Sequence, residues 1–137
     1  MNMSKDLKTE LLDILRKIEH FDKLKFIYLY GSRSKRKHSK RSDIDICLYY
    51  DLKNEKQLFK LLFKIRGLLP DKFDVQMFQL LPLFVKKEIF GGKLIFSKDI
   101  KFVYDLAYST FKDFQEFEPR YRFYIFNTKT NPNRVVI

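Results

Sequence analysis

Two aspartates one residue apart, Asp43 and Asp45, open the segment "DIDICLYY". In an extended strand, residues i and i+2 leave the same face, with α-carbons roughly 6.5–7 Å apart. Carboxylates converging from that spacing can bracket two divalent cations about 3.5–4 Å apart. Mg2+ suits such hard oxygen ligands and shares its shell with substrate phosphates. Just upstream, Gly31 and Ser32 follow an aromatic, β-branched run. Glycine lets backbone approach a phosphate with no Cβ in the way, and Ser32 offers a hydroxyl and an N–H, with a helix dipole in support if a helix begins there. Arg33 can grip phosphate with two parallel hydrogen bonds, which lysine cannot. Lys35, Arg36, Lys37, Lys40 and Arg41 add a field that attracts anions. Together these residues suggest a site for a polyphosphate and divalent metal.

A third carboxylate, Asp74, sits in "FDVQMF". Alternation puts Phe73, Val75 and Met77 on one side and Asp74, Gln76 and Phe78 on the other. If Asp74 shares the face of Asp43 and Asp45, it completes a metal site beside an attacking hydroxyl and can help remove its proton. Asp71 reads as a turn residue. His20 and His38 have no partner at a spacing that suits zinc or a catalytic dyad, so both read as surface residues. The one cysteine, Cys47, cannot form an internal disulfide and reads as a small buried filler.

The elements that must carry these groups follow from periodicity. Leu7, Leu11, Leu15 and Ile18 mark an amphipathic helix over 4–20 with Ser4 at its start. Residues 25–30 and 43–50 read as strands. The dozen residues between them are too few for a helical crossover, so the two strands should pair antiparallel and bring Gly31-Ser32 beside Asp43 and Asp45. A second helix spans 54–69, with Leu58, Leu61, Leu62, Ile65 and Leu69 on one face. A strand at 73–78, a short helix from Pro82 to Phe90 and a strand at 93–96 follow. Asp99 caps a last helix bearing Phe102, Val103, Leu106, Thr110, Phe111 and Phe114, with Pro119 as its end. This order describes an α/β (α+β) domain, a mixed sheet flanked by helices. The expected organisation is one domain over 1–118 and a basic, aromatic tail over 119–137.

The 137 residues suit one compact domain, and 45% hydrophobic content can fill a core. A net charge of +11, from 28 Lys+Arg against 17 Asp+Glu, favours anionic partners without choosing among them. The charged N-terminus lacks the apolar core of a signal peptide, and no apolar run reaches the ~18–20 residues of a membrane span. A cytoplasmic protein is the expectation.

Gly31, Ser32, ten residues, then Asp43, Ile44 and Asp45 resembles the signature of the nucleotidyltransferase superfamily. The stretch "YGSRSKRKHSKRSDIDICL" is similar to the minimal nucleotidyltransferase (MNT) family, as are "FDVQMF" and "FVKKEIFGGKLIFS" downstream. The resemblance covers roughly residues 5–115. It implies a DNA-polymerase-β-like fold and Mg2+-dependent transfer of a nucleoside monophosphate to a hydroxyl, with release of pyrophosphate. It implies two Mg2+ ions held by Asp43, Asp45 and Asp74, and triphosphate held by Gly31, Ser32 and Arg33, with ATP as donor. Many small members are antitoxins that attach AMP to a tyrosine of a HEPN ribonuclease toxin, so such a toxin is the implied partner. Three alternatives stay open: an antitoxin that works by occlusion without catalysis, a nucleotidyltransferase acting on RNA or a small molecule, and a nucleic-acid-binding protein.

Overall fold

The computed structural model describes residues 5–31 and 44–130, with side chains of the last helix described to Phe117. Helix α1 (Lys5–Arg16) leads through a short 3-10 turn into strand β1 (Leu24–Tyr30). Strand β2 (Ile44–Tyr50), helix α2 (Glu55–Leu68) and strand β3 (Phe73–Met77) follow. Helix α3 (Leu83–Ile89), strand β4 (Lys93–Ser97) and helix α4 (Ile100–Thr130) complete the described chain. The strands form one sheet in the order β3-β2-β1-β4. β1 is antiparallel to both β2 and β4, whereas β2 and β3 are parallel. This is the expected mixed α/β sheet. A parallel pair needs a crossover, and α2 supplies it.

The two faces of the sheet carry separate cores. Ile27, Leu29, Ile44, Ile46, Leu48, Tyr50, Phe73, Val75 and Met77 pack with Leu11 and Leu15 of α1 and with Leu58, Leu61, Leu62 and Ile65 of α2. Phe26, Tyr28, Cys47 and Phe78 pack on the other face with Ile89 of α3 and Val103 of α4. The central strands β1 and β2 therefore alternate between two buried layers, and full burial of each large aliphatic side chain contributes roughly 1.5–3 kcal/mol. The second layer is aromatic: the Phe26 ring lies 5.7 Å from Phe78 and 5.5 Å from Tyr28, both edge-on.

Local chemistry sets the helix ends. The Asn54 side chain accepts hydrogen bonds from the N–H groups of Lys56 (2.8 Å) and Gln57 (3.2 Å), capping α2. Asp99 does the same for α4 through Lys101 (3.1 Å) and Phe102 (3.4 Å). Two ends differ from expectation. α1 stops at Arg16, not at His20, because residues 17–20 turn and His20 takes a left-handed φ of 72°. Pro119 does not end α4, which runs on to Thr130. Proline lacks one N–H, and a helix of 31 residues keeps its other i→i−4 bonds when that one is missing. No helix among the described residues is long and apolar enough to cross a membrane.

Candidate active site

The second aromatic layer gives way to polar residues at one end of the sheet. There β1 finishes while β2 and β3 begin, so three strand ends meet. In the β2–β3 ladder Asp45 lies directly beside Asp74. In the β1–β2 ladder Tyr30 lies directly beside Asp45. Neighbouring strands run about 4.8 Å apart, and side-by-side residues share a face. That face is the one on which Cys47 and Phe78 are buried. The flanking Ile44, Ile46, Phe73 and Val75 point into the opposite core and hold the two carboxylate-bearing positions rigid. Asp45 is half-buried and Asp74 exposed, so the pair is anchored yet open to solvent.

Gly31 closes the corner. Its φ is +103°, a conformation that side-chain-bearing residues rarely adopt. The Asp45 side chain fills the place where a Cβ would stand. Such a Cβ would overlap Asp45 Oδ2 and lie 2.8 Å from Asp45 Cβ and Cγ. Gly92, just before β4, packs as tightly from the other side. A Cβ there would overlap the Leu29 carbonyl and lie 3.0 Å from Tyr30 Cβ. Glycine on both sides therefore lets the end of β1 nest between the acidic strand and the α3–β4 turn.

Of the six residues singled out in the sequence, the structure brings Gly31, Asp45 and Asp74 together. Ser32, Arg33 and Asp43 lie outside the described residues, as does the basic run at 35–41. Among the described residues no group of three or more His, Cys, Asp and Glu is placed to hold a metal ion. The pair Asp45 and Asp74 offers hard oxygen donors, which suit Mg2+. The thiol of Cys47 is fully buried, and burial pushes it well above its ordinary range, so it is neither a ligand nor a nucleophile.

Two residues at this corner were missed in the sequence. Tyr30 is half-buried on the site face. Burial first, then the Cys47 thiol and the carboxylates of Asp45 and Asp74, push its phenol above the usual tyrosine range, while the Arg66 guanidinium pulls it back. Arg66 comes from α2. Its Nε and Nη2 donate to the Val75 carbonyl at 3.1 and 2.9 Å, and Nη2 also donates to Gln76 Oε1 at 3.2 Å. For Tyr30 a signal existed: strand alternation from Tyr28 puts it on the site face. For Arg66 only the tertiary structure reveals the link.

Paired acidic residues at a sheet end, beside a glycine that admits close approach, are suited to metal-assisted transfer of a phosphate-bearing group. The fold and this corner define that class. The family model described as "Polymerase beta, Nucleotidyltransferase" matches residues 12–101. A protein of Methanocaldococcus jannaschii named "Putative protein adenylyltransferase MJ1547" is 37% identical over 103 residues, covering 74% of this chain and 79% of that protein. The chain belongs to the polymerase-beta nucleotidyltransferase family.

Solved structures share the fold. A toxin–antitoxin structure with AMP-PNP matches with a TM-score of 0.68 at 21% identity, covering 89% of this chain and 98% of the other. A structure of tri-AMPylated Shewanella oneidensis HEPN toxin in complex with MNT antitoxin gives 0.65 at 20% identity, covering 89% and 95%.

Proposed function

We propose that this chain is an antitoxin that transfers AMP from ATP to a tyrosine hydroxyl of a HEPN-domain ribonuclease, and so silences it. The observation that carries this reading is the side-by-side placement of Asp45 and Asp74 at the Gly31 corner. The adenylyltransferase name of the archaeal relative supports AMP as the transferred group. The fold shared with the antitoxin of a complex holding a tri-AMPylated HEPN toxin supports the acceptor.

In this reading Asp43, Asp45 and Asp74 hold Mg2+, which when bound neutralises the triphosphate and the departing pyrophosphate. Gly31, Ser32 and Arg33 hold the phosphates of ATP. The acceptor oxygen forms a bond to the α-phosphorus, the bond from that phosphorus to the α–β bridging oxygen breaks, and pyrophosphate leaves. The proton of the acceptor hydroxyl passes to Asp74, which is exposed and so reachable by a side chain from outside. Most of the rate arises from alignment and from fixed charges aimed at the transferring group. The catalytic domain of this reading spans residues 1–118, α4 runs on from it to Thr130, and the basic, aromatic segment 119–137 packs on the domain or on the partner.

The test is co-expression with any HEPN-domain protein found to be encoded by a neighbouring gene, followed by intact-mass measurement of that protein. Increments of the mass of an AMP residue are expected, and they disappear in Asp45→Ala and Asp74→Ala. Neutralisation that survives both changes without any mass increment would establish occlusion instead.

A further inference from the structure

We propose that Arg66 is a positioning residue for Asp74: reaching from α2 round the outer edge of β3, it locks that strand in the register that sets Asp74 beside Asp45. The proposal rests on the nucleotidyl-transfer reading above and assigns that site a residue outside its carboxylates and phosphate loop.

β3 is a strand of five residues at the edge of the sheet, where among the described residues it pairs with β2 alone. Its alternate main-chain groups face away from the sheet. At the near end of the strand, the Phe73 N–H is met by the Pro70 carbonyl at 3.0 Å. At Val75, one residue past Asp74, the carbonyl is gripped by two nitrogens of one guanidinium. The same guanidinium also holds Gln76 Oε1. Val75 turns its side chain into the α2 core, whereas Gln76 alternates with it and shares the face of Asp74. Arg66 therefore bridges the strand edge and the site face in one grip.

Its anchor is firm. Leu58, Leu61, Leu62 and Ile65 of α2 are all buried, and Ile65 immediately precedes Arg66. The period of a strand is two, so a slip of one residue would turn Asp74 into the core, and a slip of two would carry it past Asp45. A short parallel edge strand has few ladder bonds to resist that slip. The planar fork of arginine supplies the missing constraint, and a lysine ammonium, a single point of donors, cannot reproduce it.

The test compares wild type, Arg66→Ala and Arg66→Lys. Asn54→Ala serves as a control, because it loosens the start of α2 without touching the site. Mn2+ binding is read by electron paramagnetic resonance in the presence of a non-hydrolysable ATP analogue, so no turnover is needed. Transfer kinetics on the HEPN partner and melting temperature are measured alongside. Arg66→Ala is expected to weaken Mn2+ binding and lower kcat by about tenfold to a hundredfold, with KM for ATP within about twofold of wild type. Arg66→Lys should fall between the two, and it carries the comparison if the alanine variant does not fold. Asn54→Ala should melt earlier yet bind Mn2+ as wild type does. The inference is overturned if the Arg66 variants bind and turn over like wild type, or if their losses merely track melting temperature as in the control. If wild type binds Mn2+ with the analogue but transfers no AMP, or fails to bind at all, the functional reading falls and this inference falls with it.

Discussion

Asp45 and Asp74 stand shoulder to shoulder on parallel strands, though 28 residues and a whole helix lie between them in the chain. Asp74 is exposed, whereas its neighbour Asp45 is half-buried. Asp74→Asn keeps the size and shape of an exposed side chain, so its melting temperature should stay within about 3 °C of wild type. The same change should lower transfer by about a hundredfold or more, because a neutral amide is a poor cation ligand. Calorimetry with chelator and a transfer assay check the two halves. A variant that melts lower and keeps its activity would contradict the pairing.

Glycine positions separate a strained corner from an open one. Gly31→Ala combines an unfavourable φ with overlap against Asp45. It should cost about 1–3 kcal/mol of stability and displace Asp45 enough to lower transfer at least tenfold. Gly67 lies inside α2 with nothing within 4 Å of a would-be Cβ. Gly67→Ala should raise stability by about 0.5–1 kcal/mol and leave transfer unchanged. Denaturant midpoints for the two variants should therefore move in opposite directions, and a shared direction would contradict the geometry.

The tyrosines predict an alkaline limit. Tyr50 is fully buried, and its hydroxyl has no hydrogen-bond partner among the described residues. Burial raises its phenol pKa well above the ordinary value of about 10. The folded state thus keeps a proton that the unfolded chain loses. The associated stability is full below pH ~10 and is lost as pH rises through the raised folded value. Tyr30 adds in the same direction. Tyr50→Phe should change stability by no more than about 1 kcal/mol at neutral pH, since it removes an unpartnered polar atom. It should also flatten the fall in melting temperature above pH 10. A large loss at neutral pH would mean that the hydroxyl has a partner after all.

Much of this was legible in the sequence because strand alternation is a strict rule. "FDVQMF" placed Asp74 and Phe78 on one face and Val75 and Met77 on the other, and the two cores follow that division. The short β1–β2 connection implied antiparallel pairing, which is what delivers Gly31 to Asp45. Other features depend on contacts distant in sequence. Nothing local says that β3 lies on the outside of the sheet, so the hold of Arg66 on its edge is visible only in the tertiary structure. Pro119 misled because proline is a strong local stop signal, and a long helix can absorb one. Ser32, Arg33 and Asp43, read as phosphate and metal contacts, lie outside the described residues.

The most direct test of the account uses ATP labelled either at the α- or at the γ-phosphate, incubated with the protein, Mg2+ and the proposed HEPN partner. Nucleotidyl transfer predicts that only the α-label becomes covalently attached to the partner, that chelator abolishes attachment, and that Asp45→Ala and Asp74→Ala each reduce it to background. Attachment of the γ-label, or attachment of the α-label that persists in both aspartate variants, would contradict it.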